Sequence, residues 1–177
     1  MNIIIPDYVF KNKYENHFLL TEFDIIFNEE FTHNLNIFFK KLGSKKMLIK
    51  LEVPIEYDAL ISSYFEFDDP EGLREFYEMS TLINGTELFY YMMNFFIKDD
   101  TNLWEIYVSI EHELSIIGCL NRINFLIGFV LNPYGNEDLH RKMTIISDKF
   151  NNEISKIEFI ESLEKNYQFF KNQSRDI

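Results

Sequence analysis

The stretch Trp104-Glu105-Ile106-Tyr107-Val108-Ser109-Ile110-Glu111-His112-Glu113-Leu114-Ser115-Ile116 alternates almost without a break. Trp104, Ile106, Val108, Ile110, His112, Leu114 and Ile116 fall on one side of an extended chain. Glu105, Tyr107, Ser109, Glu111, Glu113 and Ser115 fall on the other. Side chains of a strand point to opposite faces in turn, so the pattern predicts one strand with a core face and a wet face. Such a strand belongs to an antiparallel sheet.

Working outward, Glu87–Ile97 is apolar and aromatic throughout, and periodicity leaves strand and buried helix open. Strand is preferred, because Lys98-Asp99-Asp100-Thr101-Asn102 reads as a hairpin loop into Trp104. Further strands are expected at His17–Phe27, at Met47–Val53 before Pro54, at Leu60–Phe67, and at Ile123–Leu131 before Asn132-Pro133-Tyr134-Gly135. Asn28 should cap a helix that carries Glu29 and Glu30 in its first turn and Lys40 and Lys41 in its last. Its apolar face is Phe31, Leu35, Phe38 and Leu42, and Gly43 stands where a left-handed stop is needed. Asp69-Pro70 opens a second helix, running to about Leu82 and stopped by Asn84-Gly85. Two more close the chain. One starts near Asn136 with the stripe Leu139, Met143, Ile146 and Phe150. The other opens at the capping box Ser155-Lys156-Ile157-Glu158, with Ile157, Ile160, Leu163, Tyr167 and Phe170 as its apolar face. The expected fold is therefore α+β: one domain over residues 1–177, an antiparallel sheet with interspersed helices, two C-terminal helices and a frayed tail at 172–177.

At 177 residues and 46% hydrophobic, with 19 Phe and 10 Tyr, the chain can build a substantial core and is not disordered. Its single cysteine, Cys119, rules out an internal disulfide and suits a reducing cytoplasm. Cys119 lies in an apolar run and reads as a buried, inert thiol. Met1–Pro6 has no basic n-region, so no signal peptide is expected. The apolar stretch Leu114–Leu131 is broken by Asn121, Arg122 and Asn124, well short of the ~20 residues a membrane span needs. One alanine, four arginines and an excess of Ile, Asn, Phe and Lys are the amino acids of AT-rich codons, which suggests a bacterial or phage gene.

Motifs for chemistry are weak. Glu30–His33 and Glu137–His140 have the Glu-x-x-His spacing of di-iron bundles. On a helical wheel both pairs point away from the apolar stripe, whereas metal ligands must point inward. Glu111-His112-Glu113 is split by strand alternation, which sends His112 to the apolar side. There is no nucleophile elbow, no clustered glycine loop and no zinc spacing. The chain is expected to be a binding protein with no catalytic residue, cofactor or metal.

Charge carries more information. Residues 51–113 hold fifteen acids against Arg74 and Lys98, a balance of −13, while the whole chain is −12. Such asymmetry disfavours direct binding to nucleic acid or an anionic membrane and favours a basic protein surface. Like charges at i,i+4 cost a few tenths of a kcal/mol per pair, so a dense stripe is better explained by a partner's Lys and Arg than by folding. The expected contact residues are Asp68, Asp69, Glu71, Glu75, Glu78, Glu105, Tyr107, Glu111 and Glu113. Tyrosine beside charge is common in interface hot spots.

A small, acidic, aromatic-rich chain with no active-site motif resembles the immunity proteins of bacterial toxin systems, including the contact-dependent growth inhibition and polymorphic-toxin types. The resemblance is one of overall character. It implies a cognate toxin domain, often a basic nuclease, whose active site or substrate groove is blocked. The alternatives are a phage-type mimic of nucleic acid that inhibits a host DNA- or RNA-binding protein, and a carboxylate-based metal enzyme. Monomer and homodimer both stay open, as does the role of the aromatic run Leu88–Phe96 as core or dimer interface.

Overall fold

The computed structural model describes residues 7–20, 23–52, 64–79, 94–110, 112–131 and 153–167. Helix α1, Glu29–Leu42, forms where every local signal agrees. Asn28 Oδ1 accepts the Glu30 N–H at 2.8 Å, and the charges of both end turns oppose the helix dipole. Gly43 at φ 71° ends it, with Gly43 N–H donating to Lys40 O and Ser44 N–H to Phe39 O. That pair of closing bonds needs the left-handed conformation, which only glycine adopts without steric cost. Phe31, Thr32, Leu35, Phe38 and Phe39 are buried along one face.

Among the described residues six strands make an antiparallel sheet: β1 (Asn16–Leu20), β2 (Met47–Leu51), β3 (Tyr64–Phe67), β4 (Asn94–Asp99), β5 (Trp104–Ser109) and β6 (Leu114–Cys119), in the order β1-β6-β5-β4-β2-β3. The other described helices are α2 (Gly72–Met79), α3 (Asn124–Leu131) and α4 (Glu153–Asn166). The fold is α+β with an antiparallel sheet, as expected.

The decisive stretch is not one strand. It turns back at Ile110–Glu113, with Glu113 at φ 50° and its N–H bonded to Ile110 O. Ser109 Oγ meets His112 Nδ1 at 2.9 Å and accepts the His112 N–H at 3.3 Å. His112 is therefore half-buried in a turn, stacked on Phe159 with ring centroids 5.5 Å apart. The turn also changes parity. Even-numbered residues of β5 pair with odd-numbered residues of β6, as in Ile106↔Ile117. Trp104, Ile106 and Val108 thus share one face with Ile117 and Cys119, while Leu114 and Ile116 join Tyr107 on the other. Unbroken alternation is equally compatible with two strands folded back, because period 2 carries no signal for the turn itself.

The expected wet face is a second core. On the first face, α1, α2, α3 and a 3-10 turn at Phe23–Phe27 cover Met47, Ile49, Phe95, Ile97, Trp104 and Ile106. On the other, the N-terminal segment Val9, Phe10 and Tyr14, Phe159 and Leu163 of α4, and Tyr167 just beyond it cover Leu19, Tyr107, Leu114 and Ile116. Tyr167 fastens this layer: its hydroxyl donates to Asp7 O at 2.6 Å and accepts from Val9 N–H at 3.2 Å. Gly118 lies directly under Tyr14, where a Cβ would stand 2.5 Å from the ring.

Other sequence expectations are corrected in detail. β1 stops at Leu20, and Phe23–Phe27 is a 3-10 turn, in keeping with the faltering alternation there. The strand expected at Ile123–Leu131 is helical, with a 3-10 turn at Asn121–Ile123 leading into α3; an apolar run without period suits either state, and packing against α1 selects helix. α4 is already helical at Glu153, so Ser155 does not cap it. Its buried face is Phe159 and Leu163, continued by Tyr167 just past its end, and Ile157 is 53% exposed. Two predicted features, the helix from Asn136 and the stop at Asn84-Gly85, lie outside the described residues, as do Leu88–Met93 and the tail 172–177.

Cys119 is fully buried on β6, and burial pushes its thiol up to about 12. Native protein is expected to resist a thiol-disulfide colorimetric reagent at pH 8 and to react fully once unfolded in guanidinium. Rapid labelling of native protein would show that β6 opens.

Candidate partner-binding site

The structure gathers some of the expected contact residues and scatters others. Asp68, Asp69, Glu71 and Glu75 stand together where β3 leads into α2. Asp69 is half-buried and acts locally, its Oδ1 accepting the Glu71 N–H at 2.9 Å, which caps the turn into the helix. Glu71 and Glu75 are exposed one helical turn apart, and Asn36 Nδ2 on α1 donates to Glu71 Oε1 at 3.3 Å. Asp68 is the most open, its side chain 88% exposed.

The ridge is partly neutralised. Lys46 Nζ lies 2.8 Å from Asp68 Oδ1 and 3.1 Å from Glu66 Oε1. The hydrogen bonds to Asp68 and Glu66 hold the Lys46 ammonium above its usual range, and Lys46 in turn holds Asp68 below the usual carboxylate range. The Asp68 side chain is 88% exposed and that of Lys46 44%, so solvent screens the pair and it adds little stability. Asp100 adjoins them from the β4–β5 loop, accepting the Lys45 N–H at 3.0 Å and the Lys46 N–H at 3.4 Å. The Lys45 N–H chiefly lowers its pKa. Sequence spacing did not single out Asp100 for this surface, because 54 residues separate it from Lys46 and only strand pairing joins them.

Glu105 and Tyr107 are not surface residues. Tyr107 is completely buried and Glu105 is 8% exposed, because the N-terminal segment and α4 cover their side of β5. Tyr107 packs on Phe96 at 4.9 Å between ring centroids. Glu113 is exposed in the β5–β6 turn. The register puts Ser109 and Leu114 at the opposite end of the strands from Phe67, and β5 lies three positions from β3. At ~4.8 Å between strands and ~3.3 Å per residue, Glu113 stands roughly 20 Å from the ridge. One small contact patch cannot centre on both. Glu111 and the side chain of Glu78 lie outside the described residues.

Burial raises the Glu105 carboxyl, while Lys98, the Tyr14 hydroxyl at 3.5 Å and Lys50 draw it down. Burial likewise raises Glu52, opposed by a hydrogen bond from Asn94 Nδ2 at 3.1 Å. A carboxyl whose folded pKa is raised stabilises the protein while protonated, and that contribution is lost as pH rises through the folded value. Asp68 and Asp100, held low, act with the opposite sign: theirs is lost as pH falls. Glu105→Gln is therefore expected to raise the melting temperature by a few degrees at pH 7.5, with the gain disappearing by pH 4. A gain that persists unchanged at pH 4 would mean that ionisation of Glu105 is not the cause.

Among the described residues no group of three His, Cys, Asp or Glu side chains is placed to hold a metal ion. Glu30 and His33 are both exposed on α1, pointing away from its core as the wheel predicts; Glu137 and His140 lie outside the described residues. No helix among the described residues is long and apolar enough to cross a membrane. The chain matches no protein-family model, no curated protein and no solved structure.

Proposed function

We propose that the protein is an immunity-type inhibitor that captures a basic toxin domain, of nuclease type, on the acidic ridge Asp68–Glu75. The observation that carries this reading is the ridge itself. Asp68, Glu71 and Glu75 are exposed together with Glu66 and Asp100, and Lys46 bridges only two of these acids. Nucleases grip phosphates with cationic grooves, so the same groove accepts a rigid row of carboxylates. A net charge of −12 would also speed encounter, toward ~10⁸ M⁻¹s⁻¹ at low salt.

Tyr107 is lost from this interface, and Tyr64 takes its place as the aromatic anchor. Tyr64 is 50% exposed on the edge strand and alternates with Glu66 and Asp68 in one outward row. A tyrosine desolvated beside ion pairs slows dissociation more than it speeds association.

The test is affinity capture of the tagged chain co-expressed with the toxin domain encoded beside it, titrated at low and high salt. Tight 1:1 binding that weakens with salt and rescues growth is the expected result. Capture instead of a host nucleic-acid-binding protein, with no affinity for the neighbour, would replace the immunity reading with that of a nucleic-acid mimic.

A further inference from the structure

The described residues cover the second face of the sheet only in part. α4 and the N-terminal segment pack over β1, β6 and β5, and beyond their edge a groove of about 780 Å³ runs onto β4, β2 and β3. Leu48 and Phe96 line its floor, Tyr64 lies toward the edge strand, and Val9, Lys11 and Asn12 form the opposite wall. Lys50, Lys98 and Glu105 also line it. Its size is that of a small-molecule site, in the ~300–1,000 Å³ range.

The strand register explains how the lysines arrive there. Lys98 pairs with Leu48 on one side and Glu105 on the other, and Lys50 pairs with Phe96 and Tyr64. Lys50 and Lys98 are thus diagonal neighbours on one face, ~7–8 Å apart at the backbone, so both ammonium groups can reach a single anionic group. Lys98 Nζ donates to Asn102 Oδ1 at 3.2 Å. Among the described residues neither lysine is in an ion pair. In a chain of net charge −12, this groove holds three lysines against Glu52 and Glu105.

We infer that this groove is a binding site for a small aromatic anion, with its carboxylate, sulfonate or phosphate between Lys50 and Lys98 and its ring on Phe96 and Leu48. A cation would face three ammonium groups. A neutral ring would leave the excess of three lysines over Glu52 and Glu105 without a counter-charge beside an apolar floor. A nucleic-acid strand carries the complementary charge but must approach through the field of the whole acidic chain, whereas a singly or doubly charged small molecule is little repelled beyond the ~8 Å screening length. The site shares Tyr64 with the proposed ridge interface, but its lysines are not part of that interface and the inference does not depend on the immunity reading.

Full-length protein titrated with 8-anilinonaphthalene-1-sulfonate and with adenosine monophosphate, by fluorescence and calorimetry, tests this. Saturable 1:1 binding of at least one probe is expected, with adenosine itself at least tenfold weaker than its phosphate. Lys50→Gln with Lys98→Gln should weaken binding at least tenfold while the protein still unfolds cooperatively, and Lys→Arg at both sites should restore it. Glu105→Gln should tighten it severalfold. Failure of both probes to bind, or equal binding to the double glutamine variant, would overturn the site. Tighter binding of a single-stranded oligonucleotide, lost with the same two lysines, would overturn the small-molecule reading in favour of nucleic acid. The double glutamine variant leaves the ridge intact, so it should still capture the toxin domain, and the two readings fail separately.

Discussion

Asp68→Lys, Glu71→Lys and Glu75→Lys together are expected to lower affinity for the toxin domain about 1,000-fold in low salt, equivalent to ~4 kcal/mol. All three side chains are exposed on one ridge, and reversal turns each attraction into repulsion. Most of the loss should fall on the association rate, since exposed charges act mainly at long range. At high salt, where the screening length shrinks to ~3 Å, the gap to the native protein should narrow to about tenfold. Folding is not at stake: none of the three is buried, and surface substitutions of this kind change stability by ~0.5 kcal/mol or less each. A control with Glu158→Lys, Glu161→Lys and Glu164→Lys, three exposed acids of α4, makes the same change in net charge elsewhere. It should cost less than about tenfold, as a general field effect does. Equal losses in the two triples, or normal binding by the ridge triple, would show that the ridge is not the interface.

Leu163→Ala is expected to destabilise the protein by about 3 kcal/mol and to lower its melting temperature by about 9 °C. Leu163 is fully buried in α4, in the same cluster as Tyr107, Leu114 and Ile116. Truncation leaves a cavity on a face of the sheet that its neighbours cannot easily refill, because β5 and β6 are rigidly paired. Ile157→Ala, on the same helix but 53% exposed, should move the melting temperature by about 1 °C or less. Urea denaturation with both variants measures the contrast directly. Similar small effects from both would mean that α4 does not seal the second face and that Glu105 and Tyr107 are open to solvent.

These two experiments bear on the two places where residue pattern and packing part company. For α1 the sequence was sufficient, since Asn28, the end-turn charges and Gly43 are all local interactions that hold in the folded chain. The β4–β5 hairpin was legible for a similar reason: the Asp99 carboxylate accepts from Thr101 N–H and Oγ1 two residues on. Of the contact residues, Asp68, Asp69, Glu71 and Glu75 were found by adjacency along the chain, and adjacency survives folding. Glu105, Tyr107 and Glu113 were placed beside them by the assumption that one face of β5 is wet, and no residue within β5 could test it. The groove lysines escaped notice because Lys50 and Lys98 are 48 positions apart and meet only through the β2–β4 register.

The sequence alone determined an α+β chain with an antiparallel sheet, the capped helix α1, an inert buried cysteine and an acidic stretch between residues 51 and 113. Each of these rests on composition or on contacts a few residues long. Only the tertiary structure decided where the long alternating stretch turns, which side chains share a face, and that both faces of β5 are buried. A period of two fixes which residues stand opposite one another along a strand. It does not fix where the strand ends or what covers it, because the covering groups, Val9 to Tyr14 and Phe159 to Tyr167, come from opposite ends of the described chain and meet only when folded.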